Sequence, residues 1–251
     1  MPFTVSHVAA VLPVLGRSER LPAAALVVGS MTPDYPWFLT RGRTSQLSHS
    51  PLGLVTVDLA VGVLAFGLWR LWVQRPARDL LPRPLGERLP QPHGLAVREL
   101  PWAGLAVVLG ALTHLVWDSF THAGRWGVEV VPWLHTEHLG LPGYAWAQFA
   151  SGLLGLAVLV IWCLRRLADT APDDDRLRST SGDRRVAWTL VTAGALVGAA
   201  LGVLHHDGSL EVGLYRGATA GGEGLALGAV LACVLWWVRE ARPAQVESRR
   251  G

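Results

Sequence analysis

The sequence predicts an all-α, polytopic membrane protein, on three observations. Of 251 residues, 51% are hydrophobic and 16% charged, with a mean hydropathy of +0.33, too apolar for an ordinary soluble domain. Five stretches, at 51–73, 102–120, 148–164, 186–204 and 224–238, approach the roughly 20 apolar residues that a helix needs to cross a hydrocarbon layer. The basic residues, all 22 of them Arg, gather between these stretches.

The N-terminal region reads as two short apolar helices, 8–15 and 21–28, around a turn with Arg17, Glu19 and Arg20. Each is too short to span, so both are expected at the interface or packed on the bundle. The first 30 residues lack a basic n-region, so they do not read as a cleavable signal. The first span opens on Ser50-Pro51, an N-cap followed by Pro at the first helical position. A Pro- and Arg-rich connection follows (Pro76, Pro82, Pro84, Pro90, Pro92), expected to be extended. The second span ends in His114-Leu-Val-Trp-Asp118-Ser-Phe-Thr-His122. After the third span, 169–185 is a polar linker. It separates a motif-bearing membrane domain, 1–168, from a Gly/Ala-rich helix pair at 186–240 and a polar tail at 241–251. Glycines recur in every span and favour close helix packing in lipid.

Charge sets the orientation. The connections after the first and third spans and the tail hold most of the Arg, which places them in the cytoplasm. The N-terminal 50 residues, the 121–147 loop and the 205–223 loop then face outward. A formal charge of +3 with Arg confined to loops argues for membrane orientation and against nucleic-acid binding. Cys163 and Cys233 both lie in apolar runs, which argues against a disulfide scaffold or a thiolate metal site. Eight of nine histidines, all but His93, fall on the outward side. Because Arg alone set the orientation, this grouping is independent and points to one polar site at the outer membrane edge.

His114, Asp118 and His122 carry the strongest chemical signal. A step of four advances only about 40° around a helix, so the three share one face on successive turns. Imidazoles and a carboxylate are ligands for Zn²⁺, and also for Mn²⁺ or Fe²⁺. Ionisable groups at membrane depth are costly and read as functional; the plain alternative is a hydrogen-bonded polar seam. His7 precedes a short helix, and a lone His more often caps an end. Asp34, in Pro33-Asp34-Tyr35-Pro36, sits in a rigid turn that it can also organise by itself. His49 stands at a helix start, where the dipole keeps an imidazole neutral, as a ligand must be. Asp58 lies two turns into the first span, where an unpaired carboxylate is expensive. Glu137 and His138, beside His135 in the outward loop, can close a site from above or belong to an ordinary loop. Gln148, at the mouth of the third span, is a candidate substrate or supporting contact. His205-His206-Asp207 is suggestive only in composition. No nucleophile elbow, P-loop or dinucleotide fingerprint is present.

Met1-Pro-Phe-Thr-Val-Ser-His7, Gly29-Ser-Met-Thr-Pro-Asp34, Leu47-Ser-His49-Ser and Thr113-His114 through His122, in that order, resemble a bacterial membrane family known as domain of unknown function 4184. The resemblance runs from residue 1 to about residue 165. That family is similar in pattern to inner-membrane proteins described as metal-dependent hydrolases. The resemblance implies that His7, Asp34, His49, His114, Asp118 and His122 form one site.

The leading expectation is thus a metal-dependent hydrolase of the bacterial inner membrane, with its site facing outward and a divalent metal, Zn²⁺ first, as cofactor. Asp58, Glu137 and His138 are the candidates for proton transfer. A membrane lipid, or a lipid-linked or other phosphoester, is the expected substrate from the site's location. The second expectation is a non-catalytic metal-binding, ion- or proton-coupled transport or scaffold protein. A transporter needs polar residues in both halves of the bilayer, and the inward halves of the spans are nearly bare. A purely structural polar seam is the third.

Overall fold

The computed structural model describes residues 4–36, 45–173, 177–205 and 208–241. A 3₁₀ turn, Thr4–His7, leads into α1 (Val8–Val11), and α2 (Ala23–Met31) runs into a second 3₁₀ turn, Thr32–Asp34. After α3 (Ser45–Ser48) come the long α4 (Pro51–Leu80), the short α5 (Arg83–Gly86) and α6 (Leu100–Thr121). Two small helices follow, α7 (Trp126–Val130) and α8 (Pro132–His135), then a hairpin of β1 (Glu137–His138) and β2 (Leu141–Pro142). The chain ends in α9 (Gly143–Asp169), α10 (Ser181–Leu204) and α11 (Leu210–Glu240). Among the described residues, five helices are long and apolar enough to cross a membrane: Pro51–Leu80, Val97–Thr121, Gly143–Asp169, Ser181–Leu204 and Val212–Glu240. The protein is an all-α, multi-pass membrane protein.

The chain forms two compact units, one of residues 3–68 and 94–169, the other of 69–93 and 170–251. In the first, α2 lies directly against α6. A Cβ on Gly29 would overlap the Val107 backbone, and one on Gly110 would overlap that of Leu26, so these glycines set the approach. Around the crossing, Ala25, Ala103, Ala106, Val107 and Phe66 are fully buried. On another side α9 packs on the N-terminal turn, where Gly155 faces the Ser6 carbonyl. The hairpin turns through Leu139 (φ 52°) and Gly140 (φ 83°), the paired positive dihedrals of a tight two-residue turn.

In the second unit, α10 and α11 interdigitate through small residues: Gly194 meets Gly224, and Gly198 meets Ala220. Thr180 and Asp183 cap the start of α10 reciprocally. The first helix also overruns its expected end at residue 73, continuing to Leu80 through Pro76. Pro76 cannot donate to the carbonyl of Trp72. Trp237 Nε1 donates to that carbonyl instead, at 2.9 Å, and the helix continues. The connection after α4 is tied down rather than free: Arg78 bonds Gln91 and Asp173, each at 3.0 Å. The buried Asp79 carboxylate accepts from Trp236 Nε1 at 3.1 Å.

Candidate metal centre

Three local features of the first unit aim side chains at one point. The turn after α2 buries Asp34 completely, and Thr4 Oγ1 donates to Asp34 Oδ2 at 2.5 Å. Next, the Gly53 backbone sits against Leu47, folding α3 tightly onto the start of α4. Ser50 caps α4, its Oγ accepting from the Gly53 amide at 3.0 Å, as its sequence predicts. His49 stands at that corner, with Nδ1 3.2 Å from Ser48 Oγ. Arg125 Nη1 donates to the His49 carbonyl at 3.1 Å. Finally, α6 presents His114 and Asp118 one turn apart. The close approach at Gly110 brings the Ser30 carbonyl within 2.8 Å of His114 Nδ1. A carbonyl only accepts, so Nδ1 carries the proton, and a neutral ring turns the lone pair of Nε2 inward.

Asp34, His49, His114 and Asp118, all buried, place one ligand atom each within 4.8 Å of one another. His114 Nε2 is 3.3 Å from Asp118 Oδ2 and 3.6 Å from Asp34 Oδ1. His49 Nε2 is 3.4 Å from Asp118 Oδ2 and 3.5 Å from Asp34 Oδ1. These separations are longer than the ~2.7–2.9 Å of a charge-assisted hydrogen bond. They match the edge, about 3.3 Å, of a tetrahedron whose centre lies ~2.0–2.1 Å from each N or O ligand. Asp34 Oδ1, His114 Nε2 and both oxygens of Asp118 have no hydrogen-bond partner among the described residues. Leaving buried carboxylates so exposed to one another is costly unless a cation lies between them. The donor set fits a divalent ion.

Two more imidazoles face the other oxygen of Asp118. His7 Nε2 is 3.5 Å from Oδ1, and His122 Nδ1 is 3.4 Å from it. His7 stacks on His114, ring centroids 3.8 Å apart. His122 lies just past the helix at its extended C-cap, so the helical face expected for three residues carries two. Gln148 Nε2, from α9, is 3.0 Å from His122 Nε2. Burial and the neighbouring His114 push the His7 imidazole down to about 4, against the pull of Asp118 and Asp34. Burial also lowers His122. For His49, burial acts downward, but the Asp118 and Asp34 carboxylates prevail and raise it to about 9. For Asp34, burial acts upward, and the His114 and His49 rings override it, holding the carboxyl well below its usual range. Burial, with Asp34 adjacent, pushes the Tyr35 hydroxyl up to about 12.

Asp58 is fully buried, and neither of its oxygens has a hydrogen-bond partner among the described residues. It ends a π-helical segment, Leu54–Asp58, that packs against the Thr32–Asp34 turn. Such wide turns recur at functional sites. Glu137 is exposed in β1. His138 stacks on Trp133 at 4.6 Å, and its Nε2 is 2.9 Å from the Trp133 carbonyl, so these contacts tie it to α8. His205 Nδ1 bonds the Leu201 carbonyl at 3.0 Å in the second unit, while His206 and Asp207 lie outside the described residues.

Sequence reasoning missed Thr4, Ser30 and Arg125. The first two act through contacts 30 and 84 residues away along the chain, and no local spacing announces them. Arg125 did leave a signal, as an Arg in a loop that the charge bias assigns to the outward side.

Comparison with curated proteins and with solved structures found no match. The family model described as "Domain of unknown function (DUF4184)" matches residues 1–234. The match extends well past the expected limit near residue 165 and takes in both α10 and most of α11. With the ordered motifs now gathered into one buried His/Asp cluster, the chain belongs to the DUF4184 family.

Proposed function

We propose that the protein is a metal-dependent hydrolase of the bacterial cytoplasmic membrane, with its centre at the outward edge. The carrying observation is the set of four ligand separations between 3.3 and 3.6 Å, with Asp34 Oδ1, His114 Nε2 and both Asp118 oxygens making no hydrogen bond among the described residues. Asp34, His49, His114 and Asp118 would hold one divalent ion, and two imidazoles with two carboxylates suit Zn²⁺. A divalent ion there, expanding past four ligands as zinc does in catalysis, would supply Lewis acidity, polarising a scissile ester or phosphoester and acidifying water toward neutrality. Asp58 is the best placed of the candidate proton acceptors, being buried beside the ligand-bearing turn. Glu137 and His138 would act from the hairpin. A membrane lipid or lipid-linked phosphoester suits a site at headgroup depth.

The test is metal analysis of protein purified in detergent without chelators, beside Asp118→Asn. Stoichiometric metal in the wild type and its loss in the variant support the reading. One ion per chain means that His7 and His122 only brace Asp118; two mean that they take an ion of their own. A wild type without transition metal ends the proposal. Sidedness is read by labelling single cysteines at positions 45, 90 and 130. Positions 45 and 130 should react from outside, and position 90 only after permeabilisation.

A further inference from the structure

Beside the cluster lies a cavity of about 230 Å³. Its polar wall is made by His49, Asp118, Ser119 and Arg125, and its apolar wall includes Leu115 and Trp126. Two of those residues are candidate metal ligands, so the cavity adjoins the centre. Arg125 is the only guanidinium among the described residues that line it. One guanidinium N–H is used on the His49 carbonyl; a guanidinium carries five such donors in a planar fork suited to phosphate oxygens. The volume falls below the ~300–1,000 Å³ of sites that enclose a whole small molecule. It suits a headgroup-sized anion whose chain stays outside, against the apolar wall.

The geometry points to Arg125 as the recognition group for an anionic phosphoester. The guanidinium would hold the phosphoryl oxygens beside the cation that His49 and Asp118 would help to bind, with the organic substituent on the Leu115–Trp126 side. This rests on the metal reading above, since Asp118 without a cation would repel the anion. It assigns a substrate class and a specificity residue that the cluster alone does not.

The test is a titration of the metal-loaded protein with inorganic phosphate by calorimetry, in wild type, Arg125→Gln and Arg125→Lys, with metal content measured on every sample. We expect wild type to bind phosphate. Arg125→Gln should keep its metal and bind phosphate at least tenfold more weakly, with Arg125→Lys in between. Unchanged phosphate affinity in Arg125→Gln overturns the assignment. Loss of metal in both variants overturns it too, by showing that Arg125 only holds His49 in place. A wild type that carries metal but takes up no phosphate overturns this inference alone, whereas a wild type without metal overturns the hydrolase reading. Competition by phosphatidylcholine vesicles with and without phosphatidic acid identifies the source. Displacement of phosphate only by the acidic lipid assigns a lipid headgroup; no displacement assigns a soluble phosphoester. Both support the anion site.

Discussion

Thr4 Oγ1 donates a 2.5 Å hydrogen bond to Asp34 Oδ2, which leaves Oδ1 as the oxygen that faces His49 and His114. Partners of this kind orient a ligand and tune its basicity. Thr4→Val should therefore weaken metal binding roughly 10–100-fold, while Thr4→Ser stays close to wild type. Competition with a chromogenic chelator reads both. Equal affinities for Val and Thr would show that Asp34 needs no such brace.

Asp58 and Asp118 are both buried carboxylates of spanning helices, yet only Asp118 belongs to the four-residue ligand set. Asp118→Asn should abolish stoichiometric metal. Asp58→Asn should keep the metal and lower turnover of an activated phosphoester by roughly 10²–10⁴-fold, the usual worth of a proton-transfer group. Metal loss in Asp58→Asn would reassign it as a ligand.

Metal uptake should release protons. His49 is pushed up to about 9 by the Asp118 and Asp34 carboxylates, against burial, so at neutral pH its ring carries a proton that a cation must displace. Apparent affinity should rise roughly tenfold per pH unit for each displaced proton, up to about pH 9, then level off. His7, lowered to about 4 by burial and His114, is already neutral and adds nothing to the slope above pH 5. Calorimetry in buffers of different ionisation enthalpy counts the protons. A pH-independent affinity between 6 and 9 would contradict this.

The α2–α6 crossing should be intolerant of bulk. Gly110→Leu would drive a side chain into the Leu26 and Ser30 backbone, with overpacking costing about 1–3 kcal/mol. The same shift withdraws the Ser30 carbonyl from His114, so metal affinity should fall along with thermal stability in detergent. Gly67→Leu, where a Cβ meets open space, is the control. Its metal affinity should be unchanged.

Much of this was legible because membrane helices announce themselves. Apolar length gave the five spans, and the four-residue rhythm of His114 and Asp118 survives as one helical face. Asp34 and His49 were individually weak, and only the ordered motifs joined them to α6. Local periodicity cannot show that the Trp72 carbonyl finds a tryptophan 165 residues away, so the helix was read as ending before Pro76. Nor does it show the π-helical turn that carries Asp58, because a single widened turn leaves composition unchanged. The buried Arg78 and Asp79 fall in the connection expected to be extended, because their partners, Asp173 and Trp236, lie in distant sequence.

The four ligands enter the bundle in two instalments. Asp34 and His49 leave the ribosome 65 to 84 residues before His114 and Asp118, so no complete cage exists until the second span has been inserted. On the proposed reading, ion capture and closure of α2 onto α6 would then be one late event in biogenesis. Cells starved of the ion should accumulate chains whose N-terminal arm stays open to proteases, a defect of maturation rather than of catalysis.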